Sequence, residues 1–326
     1  MKKLIVGVDV SKETLDYCIL DPVDQKVMDR GVVYNDSKSI LKWLGSFKSS
    51  DIALAMEHTG HYGALLAWQL SEHGFDFYMI NPLDLKRSLG VHRGKSDTID
   101  AFRIASYTIS QRHRLHLFKL PATTLRKLKT LMAARDRFVK ISVQCQNSLK
   151  ALDILSKTLE LNDLIKEHKK QIRSVKELIF KIEQQMQELI NSDPELKATY
   201  SKICKVTGVG PITATKCIIE TNNFTNFTNA RKFSCHCGLA PFPYQSGSSI
   251  NGKTKTHPFR NRDLKATLFK AAGSAIQHDP QLRMYYRRKV KEGKHKLSVL
   301  NAVANKLVLR IFAVANREEP FVKLAA

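Results

Sequence analysis

The chain has 326 residues, 43% apolar and 25% charged, enough material for two or three domains that each bury a core. Lys and Arg number 53 against 30 Asp and Glu, and the resulting formal charge of +23 points to a polyanionic partner. No stretch approaches the roughly 18 apolar residues of a spanning helix. Asp9 also breaks the apolar start that a secretory leader needs, so neither membrane insertion nor secretion is expected.

The positive charge is uneven: residues 1–120 carry +2, residues 121–199 carry +5 and residues 200–326 carry +16. A near-neutral front and a basic back suit nucleic acid, bound with a steep salt dependence. No basic amphipathic helix with an aromatic face stands out, which disfavours an anionic membrane surface. Cysteines 18, 145, 204, 217, 235 and 237 form no Cys-x-x-Cys pair, which predicts reduced thiols in a cytosolic chain.

Apolar, β-branched runs predict strands over Leu4–Val10, Thr14–Leu20 and Lys26–Val33. Asp36-Ser37 offers a cap for a helix through Ile40, Leu41, Trp43, Leu44 and Phe47. A buried strand at Ile52–Met56, a helix at His61–His73 and a strand at Phe75–Ile80 follow. Asn81-Pro82 breaks the chain before the basic stretch Lys86-Arg87 to Arg93-Gly94-Lys95, and Ser96 caps a helix bearing Ile99, Phe102, Ile104 and Tyr107. Three strands followed by helix–strand alternation imply a mixed sheet flanked by helices.

Beyond Pro121 the signal is helical. Ile172, Val175, Ile179, Ile182, Met186 and Leu189 form a heptad seam that Asn191-Ser192-Asp193-Pro194 ends. Its partner is the Leu125–Leu155 helix of the same chain or a second chain. Val206-Thr207-Gly208-Val209-Gly210-Pro211 is a tight turn between short helices, resembling a helix–hairpin–helix in which Gly208 and Gly210 let backbone amides grip a phosphate. Cys237–Ile250 is expected to be a loop, and two or three amphipathic helices close the chain. Domains are drawn at 1–120, 121–197 and 198–326.

Four acids fall at telling places. Asp9 lies at the end of the first strand, and Glu57 ends the strand before His58-Thr59-Gly60; open sheets gather ligands at such carboxyl ends. Asp97 and Asp100 share one face of a helix's first turn. Singly, Asp97 reads as a cap and Asp9 as a turn residue. As a set, carboxylates from two strands and a helix make a hard-oxygen cage for Mg²⁺, with Mn²⁺ as a substitute. Paired metals of that kind clamp the attacking and leaving oxygens of a phosphodiester.

The order of these acids resembles the D-E-D-D quartet of RuvC-like nucleases and ribonuclease-H-fold transposases. Actin-like ATPases share the fold and its first aspartate, but their glycine-rich phosphate loops have no counterpart here. Gly238-Leu239-Ala240-Pro241 with Ser246-Gly247 resembles the Gly-Leu-x-Pro…Ser-Gly motif of the DEDD insertion-sequence transposases, a family that includes DNA invertases and bridge-RNA-guided recombinases. Gly7–Lys12, Glu57-x-Thr59-Gly60, Lys95–Ala101, Gly208-Val209-Gly210 and Arg262-Asp263-Leu264 extend the resemblance over almost the whole chain.

That resemblance implies a RuvC-like (ribonuclease-H-like) mixed α/β sheet, then a helical hairpin or coiled coil, then a mainly helical basic domain. It implies that Asp9, Glu57, Asp97 and Asp100 hold Mg²⁺ and that Ser246 is a nucleophile forming a 5′ or 3′ phosphoserine link to DNA. It implies donor and target DNA as substrates, a structured noncoding guide RNA, a dimer or tetramer with composite sites, and a nucleoid-associated place in a bacterial cytoplasm. The alternatives are a site-specific invertase, a RuvC-like nuclease in which Ser246 only packs, and a binding protein without activity. Ser248 and Ser249 are chemically open, and Cys235-His236-Cys237 lacks the second ligand pair of a zinc site. Arg93, Lys95, Lys253, Lys255, Arg260 and Arg262 are candidate backbone contacts. Arg287 and Arg288, beside Tyr285 and Tyr286, suit RNA or single strands.

Overall fold

The computed structural model describes residues 3–58, 60–88, 97–227, 229–246, 250–256 and 258–317, with backbone only at Tyr244, Ser246, Ile250, Asn251, Lys253 and Lys255. The chain divides into two compact units, residues 1–120 and 121–326.

The first unit opens with β1 (Leu4–Val10), β2 (Thr14–Leu20) and β3 (Val27–Tyr34), an antiparallel meander. α1 (Ser37–Leu44) leads to β4 (Ile52–Glu57), and α2 (Ala64–Glu72) to β5 (Asp76–Ile80); α3 (Pro82–Ser88) and α4 (Asp97–Ser110) follow. β4 and β5 run parallel to β1, in the order β3-β2-β1-β4-β5. This order and these directions are the ribonuclease-H-like arrangement.

Strand alternation sorts the residues between two cores. Val6, Val8, Val10, Leu15, Ile19, Leu54 and Met56 pack beneath α1 and α2 with Ile40, Leu44, Leu66 and Leu70. Ile5, Cys18, Leu20, Ala53 and Ala55 face α4 through Ala101, Ile104 and Ala105.

The expected β1, β2 and β4 stand within a residue of the reading, and the helix expected from His61 begins at Ala64. Asn81-Pro82, expected to break the chain, instead starts α3. The Asn81 side chain accepts the Leu83 amide at 3.0 Å, and proline at a first helical position loses no helical hydrogen bond.

In the second unit, α5 (Thr123–Leu155) and α6 (Asn162–Ser192) form an antiparallel hairpin within one chain, marked by Arg135–Glu183 at 2.7 Å and Ser148–His168 at 3.3 Å. α7 (Pro194–Cys204) is capped by Asp193, and α8 (Pro211–Thr221) starts at Gly210. α9 (Ala230–His236) precedes β6 (Pro241–Ser246) and β7 (Ile250–Thr256). α10 (Arg262–His278), α11 (Pro280–Lys291) and α12 (Lys296–Ala315) complete the described chain.

Two expectations are corrected here. The expected loop at Cys237–Ile250 contains β6, paired with β7 in an antiparallel hairpin whose register shifts between Phe242 and Tyr244, where Pro243 has no amide to donate. α12 is also long and apolar enough to cross a membrane, although no unbroken apolar run marks it. Its Val299, Val303, Leu307, Val308, Ile311 and Phe312 are buried in the core of this unit.

Candidate active site and nucleic-acid interface

The sheet's alternation aims the acids. On β1, Val8 and Val10 pack beneath α1 and α2, so Asp9 takes the face that α4 covers; on β4, Met56 packs away and Glu57 takes the same face. β1 and β4 are parallel with Val8 opposite Met56, so Asp9 and Glu57 are the next residue on each strand. α4 brings Asp97 and Asp100 in its first turn, with Asp97 one turn ahead of buried Ala101 and Asp100 one turn ahead of buried Ile104. Arg103 meets Asp100 at 2.9 Å.

The gathering has an electrostatic signature. Burial, then the charges of Asp100, Asp97, Glu57 and Asp16, push the Asp9 carboxyl from an ordinary 3.8 up to about 6. Asp16 is the residue that the sequence reading missed. It lies on β2 directly opposite Asp9, and burial followed by the charge of Asp97 raises its own carboxyl. The available signal was the alternation Leu15-Asp16-Tyr17-Cys18, which puts Asp16 with Cys18 on the α4 face.

Among the described residues, no three His, Cys, Asp or Glu side chains form a closed metal-binding group. The acids are a gathered but open set. Their chemistry fits a hard divalent cation: several carboxylates share one face, and burial together with their mutual charge holds the Asp9 carboxyl above its ordinary range.

Gly7 makes this geometry possible. A Cβ there would meet the Ala101 carbonyl oxygen and stand 2.5 Å from the Ala105 amide nitrogen, so β1 and α4 approach to a distance only glycine allows. Gly7→Ala is expected to push α4 off the sheet. Roughly 1–3 kcal/mol of stability is lost by overpacking, read as a lower denaturant midpoint. Asp97 and Asp100 move away from Asp9 with the helix.

Ser246 is the last residue of β6, in the second unit, with Ile250 opposite it. Gly247, Ser248 and Ser249 lie outside the described residues, as do Arg93, Lys95 and Ser96. Lys253 and Lys255 lie on β7. Arg260 packs beside Gly238, and Arg262 begins α10 at the surface.

Gly208, at φ +90°, has its open side filled by α10: a Cβ would stand 2.6 Å from that of Ala275. Gly210 is exposed, and the first turn of α8 carries no side-chain cap. Arg287 and Arg288 are exposed on α11. Beside them, Tyr285, Arg288, Lys306 and Leu309 line a cavity of about 700 Å³, with the Lys306 ammonium 4.7 Å and the Arg288 guanidinium 5.9 Å from the Tyr285 ring.

Known proteins resemble both units. A family model described as a transposase, of the DEDD IS110 type, matches residues 6–158, and a second, described as transposase IS116/IS110/IS902 family, matches residues 200–287. The pilin gene-inverting proteins of Moraxella lacunata and Moraxella bovis are each 26% identical over 333 residues, covering 99% of both chains. An uncharacterized 43.6 kDa protein of insertion element IS110 from Streptomyces coelicolor is 34% identical over 109 residues, 33% of this chain and 26% of that one. Among solved structures, T. thermophilus RuvC in complex with a Holliday junction substrate matches 36% of this chain and 99% of its own, at 15% identity and a TM-score of 0.28.

Proposed function

The chain belongs to the IS116/IS110/IS902 family of transposases, and from that premise we propose that it cuts, exchanges and rejoins DNA strands through a phosphoserine intermediate. What supports the reading is that Asp9, Glu57, Asp97 and Asp100 belong to the sheet face that α4 covers, where burial first and then the neighbouring acids raise Asp9. In this reading those four residues hold Mg²⁺, or Mn²⁺ in its place. The bound metal would supply Lewis-acid stabilisation of charge on the phosphoryl oxygens.

The Ser246 hydroxyl attacks the scissile phosphorus. A phosphorus–oxygen bond to serine forms, the bond to the deoxyribose oxygen breaks, the serine proton is given up, and the released 3′ or 5′ hydroxyl takes one. Each phosphodiester lost becomes a phosphoserine ester, so rejoining needs no external energy source. The end-to-end likeness to pilin gene-inverting proteins supports inversion of a DNA segment as one outcome of the same chemistry.

The +16 charge of residues 200–326 supports a nucleic-acid surface there. Gly208 and Gly210 at the α7–α8 turn, with Lys253, Lys255, Arg260 and Arg262, contact DNA backbone; Arg287 and Arg288, beside Tyr285, suit a structured guide RNA. Arg93 and Lys95 approach the DNA from the acidic helix. The assembly is a dimer or tetramer in which the acids and Ser246 complete one another's sites, acting beside the bacterial nucleoid.

The test is a label-transfer gel. Protein, co-purified RNA and end-labelled DNA from an element's ends are mixed with Mg²⁺ and then denatured. Label migrating with protein, absent when EDTA is present, is the expected result. Cut DNA free of protein would make the enzyme a water-using nuclease.

A further inference from the structure

On the β6–β7 hairpin, Pro241, Phe242, Pro243, Gln245 and Thr254 are exposed. A two-stranded hairpin is marginal on its own in water, so its direction is set where it leaves the core. Among the described residues, three bonds tie that neck to its surroundings beyond the local turn bonds of Gly238 and Leu239. The Asn261 amide donates to the His236 carbonyl at 2.9 Å and ties the returning leg to the outgoing one. Lys265 Nζ, from the first turn of α10, donates to the Gly238 carbonyl at 2.8 Å. Asn301 Nδ2, from α12, donates to the Leu239 carbonyl at 2.7 Å.

The surroundings are built to match. Gly238 sits at φ +68°, and the Arg260 side chain fills the place a Cβ would take. Leu239 is buried, and the Asn301 amide oxygen is buried with no hydrogen-bond partner, so the side chain accepts a cost to make its one donation. The Lys265 ammonium is half-buried, 5.4 Å from the Phe269 ring. Packing alone would be served by leucine or methionine at both positions.

We propose that Lys265 and Asn301 are positioning residues that clamp the neck of the serine hairpin and so fix the angle at which Ser246 is presented. The proposal rests on the reading of Ser246 as the nucleophile. Ser246 lies five residues beyond Pro241, about 17 Å along the strand. A tilt of about 5° at the neck therefore moves the tip by about 1.5 Å, and a 1 Å misplacement at a reacting centre can cost on the order of 10²-fold in rate. Loss of one hydrogen bond in a unit of this size shifts its melting temperature by only a few degrees. A clamp and a packing element are separable on that difference.

Full-length Lys265→Met, Lys265→Arg and Asn301→Ala are compared with the parent in two measurements. Hydrogen exchange of the 241–256 amides is expected to quicken at least about tenfold in Lys265→Met and Asn301→Ala, with the α10 and α12 amides unchanged. Single-turnover formation of the covalent adduct at saturating DNA is expected to fall about 10- to 100-fold, with DNA affinity within about twofold and recovery in Lys265→Arg. Unchanged exchange in the hairpin would overturn the clamp. So would a rate loss equal in Lys265→Arg, or one matched by general loosening of the unit. If the parent makes no adduct, the serine reading is what fails, and the exchange measurement still decides the clamp. If Lys265→Met does not fold, Asn301→Ala decides it alone.

Discussion

Ser246→Ala abolishes the covalent protein–DNA band, a loss expected to exceed about 10³-fold, while DNA affinity at fixed salt stays within about twofold. The substitution removes one hydroxyl from the last residue of β6 and keeps the backbone pairing with Ile250. Melting temperature should therefore stay put, which separates lost chemistry from lost structure. Asp100→Asn belongs beside it. Losing the carboxylate that Arg103 pairs with removes a quarter of the proposed metal cage, and adduct formation falls while Ser246 is intact. If Ser246→Ala cuts DNA at the parent's rate, the serine only packs and the acids activate water instead. If Asp100→Asn retains full adduct formation, the quartet is not the metal site. A melting curve of each variant beside the parent separates lost chemistry from lost structure.

How much of this was legible depended on what each residue faces. β1 and β2 were read to the residue because their side chains alternate between two apolar cores, one beneath α1 and α2 and one beneath α4. Asp9 and Glu57 stood out because each ends a run whose other members are apolar. Asp16 did not, since a polar residue alternating with Leu15 and Tyr17 looks like the solvent side of a strand until α4 is known to cover that side.

The serine hairpin was hidden for a different reason. β6 contains two prolines, and β7, Ile250-Asn251-Gly252-Lys253-Thr254-Lys255-Thr256, is polar at almost every position, so neither shows the alternation that a half-buried strand writes into its sequence. Lys265 and Asn301 are invisible to any motif reading because their partners are backbone carbonyls, and a carbonyl has no letter in the sequence. α3 was missed by taking Asn81-Pro82 as a stop, when the same pair is an equally good start.

Asp9→Asn should stabilise the first unit in EDTA and inactivate the enzyme in Mg²⁺. The carboxyl titrates near 6 in the folded chain against 3.8 for an ordinary aspartate, so the folded state binds its proton more tightly than the unfolded state does. Without metal, stability contributed by this group is present below pH 3.8 and is lost as pH rises through 6; at pH 7 the ionised Asp9 is a net cost. A carboxyl raised by burial and neighbouring acids from 3.8 to about 6 at a half-buried site, discounted for solvent screening, is worth about 1–2 kcal/mol. The neutral asparagine removes that cost, and the melting temperature rises by roughly 2–8 °C in EDTA at pH 7, with the gain shrinking as the pH is lowered toward 4.

Millimolar Mg²⁺ should reverse the order. A ligand that binds only the folded state stabilises in proportion to the logarithm of its concentration over its dissociation constant, so the parent gains where the variant with a broken cage gains little. Crossing melting curves, together with an adduct rate reduced by at least about 10³-fold, would mean that the fold tolerates a destabilising charge on β1 because a cation uses it. Asp9→Asn melting lower than the parent in EDTA would instead make Asp9 a structural anchor, and the raised carboxyl would lose its meaning as a sign of metal.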